Sequence, residues 1–276
     1  MSRAVRSRFN VIGAVAGWIW LAVIILPIYY IFVTSLRPQS DYFTENPLSW
    51  PSNPSLAAYG RVLDHGFAGF FLNSVIVTVA AVALTLVVSL MAAYVIVHGR
   101  GRFGRGVFRM ALLGIAIPIQ AAIIPIYYLI VELGLYDSLA ALVLPSVAFA
   151  IPITLLILTT FLRDVPRSLF ESMRLDGAGE WTILLRLVLP MSRPALAAVG
   201  VYNALQVWNG FLFPLVLTQS ADTRVLPLSL WSFQGQFAID VPAVLAAVVL
   251  SVLPMLAAYV LTRHQLVSGM TAGFGR

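Results

Sequence analysis

Neither lysine nor cysteine occurs in this chain, and charge of either sign is scarce: 10% of the 276 residues are charged. Each shortage excludes a chemistry. Without Cys there is no disulfide, no thiol nucleophile and no thiolate-held metal. Without Lys there is no Walker A loop, GxxxxGK[ST], whose Lys reaches the nucleotide phosphates, so the chain by itself is not a P-loop ATPase. Its 17 basic residues are all Arg. The three His residues, His65, His98 and His264, lie far apart and form no HxxxH-type pair, so no metal site is expected. A soluble domain carries about a quarter charged residues. Here 60% of residues are hydrophobic, and too little polar surface is available to cover a globule in water. The composition is that of an all-α membrane protein.

Six apolar stretches reach the roughly 20 residues that a membrane-crossing helix needs: 11–35, 73–97, 108–131, 139–162, 194–218 and 241–262. They form one transmembrane domain over residues 1–276. The opening Arg3, Arg6 and Arg8 followed by an apolar run imitates a signal peptide, but the run is too long and no small-x-small site follows promptly. It is expected to stay as the first helix. Arginine placement sets the orientation. With the N-terminus inside, Arg37, Arg61 and Arg224 fall outside and the other arginines inside, so both termini are expected to be cytoplasmic. That distribution assigns the formal charge of +6 to topology and membrane lipid, with no nucleic-acid partner. Residues 99–106, GRGRFGRG, contain a formal GxGxxG at Gly99, Gly101 and Gly104. With no strand before it and no βαβ unit after it, the motif is expected to be a basic, lipid-facing loop.

The six stretches hold no Asp, Lys or Arg in their interiors, and Glu132 falls at the edge of the third. Ion-driven carriers place ionisable groups inside the membrane, so a stand-alone ion-coupled carrier is the weaker alternative. Prolines are frequent instead: Pro27, Pro118, Pro125, Pro145, Pro152, Pro214 and Pro254. Their kinks free backbone carbonyls, tolerated where they face protein or a water-filled cavity. The outer segment of about 37–71 opens with Pro, Asn and Ser, and its second half is expected to hold a short interfacial helix.

Between the fourth and fifth stretches, the segment 163–193 includes ESMRLDGAGEWTILLRLVLP from Glu171 to Pro190. A short amphipathic helix is expected from Ser168 to Met173, with Glu171 in its first turn and Leu169, Phe170 and Met173 on one side. Asp176 and Gly177 should break it, Gly177 taking the left-handed conformation. A second helix should then run to Pro190 with Trp181, Leu184, Leu185 and Val188 on one face. A cytoplasmic helix held between two spans is a lever.

These residues resemble the EAAxxxG, nine residues, IxLP pattern of the membrane subunits of binding-protein-dependent ABC importers. Glu171-Ser172-Met173, Gly177 and Leu187-x-Leu189-Pro190 keep that spacing, with Ser172 and Met173 standing for two alanines and Leu187 for isoleucine. Asp176-Gly177-Ala178, Trp181, Leu72-Asn73-Ser74, Ala92-Ala93-Tyr94 and Trp208-Asn209 resemble the carbohydrate branch, in particular the second permease subunit of maltose-type systems. Ser268 to Gly273 is similar to the family's GLTAG ending, although Phe274-Gly275-Arg276 differs from its usual tail. The resemblance implies a type I ABC importer transmembrane fold in a bacterial plasma membrane, importing a mono- or oligosaccharide or a sugar derivative. Leu169, Phe170, Glu171, Ser172, Met173, Arg174, Asp176, Gly177 and Ala178 would then form the coupling helix against a separate ATPase. The implied partners are two copies of that ATP-binding subunit, which hold the ATP and Mg, a homologous second permease, and an extracytoplasmic solute-binding protein. No cofactor is implied for this chain and it is not an enzyme. Tyr202, Asn203, Gln206, Trp208 and Asn209 in the fifth span, with Gln120, are the substrate-pathway candidates, since sugars are held by aromatic faces and matching amides. Interhelical hydrogen bonding is the alternative role for these polar groups. An ABC permease for another solute, such as glycerol phosphate, is the nearest rival; the lack of buried charge favours a neutral one.

Overall fold

A computed structural model describes residues 11–99, 102–233 and 239–271. Arg3, Arg6, Arg8, Arg100, Gly101 and the last five residues of the tail, which the sequence reading used, lie outside them. The described chain is built from helices, and its contacts group into two units: residues up to 66 with 230–252, and residues 67–229 with 253 onward.

In the first unit, α1 (Val11–Ser35) points most of its large side chains outward as far as Phe32, while its last turn, Val33 to Ser35, is buried. Its residues 13–35 qualify as a membrane span. The Pro- and Ser-rich segment after it is ordered around Arg37, whose side chain is buried. Its Nη2 donates to the carbonyls of Asn46 and Ser49, at 3.0 and 2.9 Å, and its Nε pairs with Glu45 at 3.1 Å. A buried guanidinium requires such partners, so the loop closes around it. The expected short helix is α2 (Ala57–Asp64). Its Arg61 holds Asp240 with two hydrogen bonds, of 2.7 and 3.1 Å.

In the second unit, α3 (Phe67–His98) and α6 (Leu139–Arg163) pack side by side and organise the rest. Both are long and apolar enough to cross a membrane. Ser138 starts α6 by accepting a hydrogen bond from the Ala141 amide. The third apolar stretch is not the single rod its composition suggests. It is α4 (Arg102–Ile115) and α5 (Ile119–Glu132), bent by 109° where Pro118 caps α5. At the crossing of α4 and α6, a Cβ added to Gly114 would lie 3.0 Å from Pro152 Cγ, so only glycine admits that approach without displacement. α4 begins at Arg102, which shortens the basic loop expected over 99–106.

The segment after α6 forms α7 (Arg167–Leu175), then α8 (Glu180–Ile183), a π-helical turn at Leu184–Val188 and α9 (Leu189–Met191). A 72° bend leads into α10 (Arg193–Trp208). The fifth stretch, expected as one span to 218, breaks after Trp208 and resumes as α11 (Leu212–Leu217). α12 (Leu226–Ser229) and α13 (Val241–Thr271) complete the chain. By length and composition three described helices suffice to cross a membrane, or five if each bent pair is one span. The six continuous spans of the sequence reading are thus not reproduced as six rods.

Two apolar clusters hold the second unit. One joins Leu90 and Tyr94 of α3, Leu158 and Leu162 of α6, Phe170 of α7, Ile183, Val188, and Val199 of α10. The other, toward the α5–α6 turn, joins Val77, Ile130, Leu142, Phe213 and Leu217.

Candidate functional site: a coupling helix and a neutral cavity

α7 is amphipathic, and its apolar side faces its own chain. Phe170 is buried at 2% exposure, with its ring centroid 3.8 Å from that of His98 and stacked 6.4 Å from Tyr94. Met173 and Ala178 pack against the same cluster. Glu171, Ser172, Arg174, Asp176 and Gly177 are exposed, as is Leu169, while Leu175 is 88% exposed. Of the nine coupling candidates, Phe170, Met173 and Ala178 therefore anchor the helix and the rest are open to a partner. Glu171 corrects the sequence reading: α7 starts at Arg167, so this acid lies in the second turn, away from the dipole. Gly177 does take the left-handed conformation, with φ +80°. Its amide bonds to the Arg174 carbonyl and Ala178 N to Met173 O, closing the helix end.

The second helix also buries a different face from the expected one. Trp181 and Leu185 are 65% and 57% exposed, while Ile183, Leu184 and Val188 are buried. The π-helical turn adds a residue to the repeat and rotates the buried face away from the 3.6-residue register. Glu180 accepts a hydrogen bond from Tyr94 and a fork from Arg174 at 3.1 Å, joining α3, α7 and α8. This knot was invisible in the sequence because Tyr94 and Glu180 are far apart along it.

A cavity of about 340 Å³ lies among α3, α6, α10 and α11. Tyr202, Asn203, Gln206 and Trp208 line it. Gln120 and Asn209 do not; Asn209 instead donates to the Leu205 carbonyl at 2.8 Å. Roles differ within the wall. Asn203 is buried and donates to Thr154 Oγ1 at 2.9 Å across the helices, which is the interhelical role. Trp208 is 5% exposed and packs edge-on to Phe71. Tyr202 and Gln206 are exposed. Thr78, Ser146, Phe149 and Phe213 also line the cavity and escaped the sequence reading, although an isolated hydroxyl in an apolar span was the signal available. Among the described residues, no Asp, Glu, Lys, Arg or His lines it.

Beside this cavity a carboxylate pins a loop. Asp137, at φ +58°, accepts from Gln219 N, Ser220 N and Thr223 Oγ1 at 2.8, 3.0 and 2.6 Å. Those hydrogen bonds, the Gln219 amide foremost, hold its pKa well below the usual carboxylate range. Asn73 ties the same loop to α3, donating to the carbonyls of Asp222 and Arg224.

Residues 85–266 match the family described as the binding-protein-dependent transport system inner membrane component. The chain belongs to that family. It is 37% identical to a putative ABC transporter permease protein, ORF2, of Caldicellulosiruptor sp., over 92% of this chain and 93% of that protein. It is 31% identical to the diacetylchitobiose uptake system permease protein NgcG of Streptomyces coelicolor, over 96% and 89%. Among solved structures, it superposes with a TM-score of 0.82 on a chain of a bacterial ABC transporter involved in the import of the acidic polysaccharide alginate. That match covers 96% of this chain and 98% of the other at 23% identity, and it shows a shared fold. The family is the membrane component of such systems, seated in the inner membrane.

Proposed function

We propose that this chain is one permease subunit of a bacterial ATP-driven importer for a neutral saccharide, with α7 as its coupling helix. The observation that carries the reading is the division of α7 into two faces. Phe170 and Met173 lock it to α3 and α6, while Glu171, Arg174, Leu175 and Asp176 stand outside any contact strong enough to bury them. A helix held this way transmits force: a partner moving α7 must also move the helices that Phe170 packs against. The partner supplies the ATPase, with its ATP and Mg, since this chain has no Lys for a phosphate loop.

The cavity of the second unit is the substrate's path. Aromatic walls with Gln206, Tyr202 and Thr78 offer stacking and neutral hydrogen bonds, and no charge, so an uncharged sugar fits better than a uronate or a phosphate ester. Relatives named for diacetylchitobiose uptake support a saccharide. In the assembly, a homologous second permease completes the pathway, two ATPase copies dock on the two coupling helices, and an extracytoplasmic binding protein delivers the sugar. Six membrane crossings with both termini in the cytoplasm agree with the arginine asymmetry; the bent pairs α4–α5 and α8–α10 would each serve as a broken crossing, lining a pathway as irregular backbone in membranes does.

The test is Glu171→Lys in the assembled importer, read by ATPase co-purification and by ATP-driven uptake in proteoliposomes. Charge reversal on the exposed face should release the ATPase and abolish uptake while leaving the permease folded. Retained ATPase and full uptake would overturn the assignment of α7.

A further inference from the structure

A second cavity, of about 450 Å³, opens where the end of α3, the start of α4, the end of α6 and the start of α7 meet. Arg105 of α4, Arg163 at the end of α6 and Arg167 at the start of α7 line it, together with His98 and Gly99. No carboxylate among the described residues is in its wall. Three other arginines do have an acid beside them, Arg37 with Glu45, Arg61 with Asp240 and Arg174 with Glu180, whereas Arg109, Arg186 and Arg193 do not, each standing apart from this cavity. Among the described residues, Arg105, Arg163 and Arg167 form no such pair. Arg163 is held in place by the Phe108 ring, 5.3 Å from its centroid. Three like charges gathered around one concavity repel each other unless an anion sits between them. The uncapped first turn of α7, beginning at Arg167 after Pro166, adds the positive end of a helix dipole.

We propose that this cavity binds a phosphate-bearing anion, its oxygens held by Arg105, Arg163 and Arg167. Guanidinium forks match phosphate oxygens in pairs, and the volume lies within the range of small-ligand pockets. The proposal rests on the cytoplasmic placement of these loops proposed above. There the phosphate has two sources, an anionic lipid of the inner leaflet or a soluble phosphate compound. Met110 and Leu113, farther along α4 from Arg105, are 74% and 70% exposed, which gives acyl chains an apolar surface next to the arginines. The sites differ in chemistry: the transport cavity carries no charge, and this one carries charge of a single sign.

The whole importer, with its ATPase, in nanodiscs of phosphatidylcholine provides the test. Arginines are labelled with phenylglyoxal and followed by peptide mass, with Arg224 as the reference site. Phosphatidylglycerol in the disc, or inorganic phosphate in the buffer, should slow labelling of Arg105, Arg163 and Arg167 by about fivefold each, the contribution of one arginine near an anionic surface. Protection by phosphatidylglycerol alone identifies a lipid headgroup site; protection by inorganic phosphate as well identifies a site open to soluble phosphates. Equal labelling in all three conditions overturns the proposal. The Arg105→Gln/Arg167→Gln variant should lose the protection at Arg163 and keep the ATPase bound. Loss of the ATPase with protection at Arg163 unchanged would make these arginines partner contacts and would equally overturn it.

Discussion

Tyr94, near the end of α3, donates its phenolic hydrogen to the carboxylate of Glu180, the first residue of α8. The same carboxylate receives Arg174 from α7. A single acid thus ties α7, the proposed coupling helix, to α3, which lines part of the cavity. Tyr94→Phe removes the hydroxyl and keeps the ring packing on Phe170. Since Glu180 is largely exposed, the loss should be near 1 kcal/mol, below the range for buried hydrogen bonds to charged groups. The expected outcome is a permease that still binds its ATPase but imports fewer sugars per ATP, measured as the uptake-to-hydrolysis ratio in proteoliposomes. An unchanged ratio would mean the knot is structural only.

Phe170 is the anchor of α7, and its burial makes its removal costly. Phe170→Ala should destabilise by about 3–5 kcal/mol, through lost transfer energy and the cavity left among Tyr94, His98 and Leu162. The expected result is loss of ATPase co-purification at 37 °C, with Phe170→Leu retaining most of it. Equal behaviour of the two variants would show that the ring does not set the position of α7.

The end of α7 was readable from the sequence because its causes are local. Asp176-Gly177 supplies the left-handed turn wherever the rest of the chain goes, and the amphipathic period of Phe170 and Met173 falls within one helix; Leu169, expected on their side, is instead exposed. The face of the following helix was misread because a π-helical turn changes the repeat, and nothing in LLRLV announces it. The 109° bend of α4 against α5 was half legible. Pro118 marked a break, but an apolar run does not say in which direction the chain leaves it. In the cavity, Asn203 and Gln206 were legible as amides inside an apolar span, whereas Thr154 and Phe213 join them through packing of α6 and α11, which no spacing rule reaches. Asp137 had no sequence signal, since its partners lie at 219–223.

Asp137 should act as a pH-independent clamp throughout the physiological range. Its folded pKa is depressed, so its stabilising contribution is fully present above the unfolded value of about 4 and is lost as pH falls through the folded one. Amide exchange at Gln219 and Ser220, corrected for intrinsic rates, should stay flat from neutral pH down to about 5 and rise only under stronger acid. Asp137→Ala should raise it at neutral pH, since the acceptor is gone and alanine at φ +58° adds about 1–2 kcal/mol of backbone strain. Asp137→Asn tolerates that φ and keeps an acceptor oxygen, so it should lie between. Wild-type exchange rates in Asp137→Ala would refute the clamp.

Asn203 and Gln206 share a helix face but should separate in a transport assay. Asn203 spends its amide on Thr154 inside the bundle. Asn203→Leu should therefore lower thermal stability, and a double-mutant cycle with Thr154→Val should return about 0.6 kcal/mol, the usual coupling between membrane helices. Gln206 is exposed to the cavity, so Gln206→Leu should leave stability unchanged. It should raise the sugar concentration for half-maximal uptake by about two- to tenfold, the worth of one neutral hydrogen bond. In intact cells the binding protein's own affinity masks this effect. The measurement thus belongs in proteoliposomes with saturating binding protein, where a loss confined to Gln206 marks the residue that meets the sugar. Equal losses of stability in both variants would mean that the face is glue between helices, and the sugar would then have to be held by the partner permease.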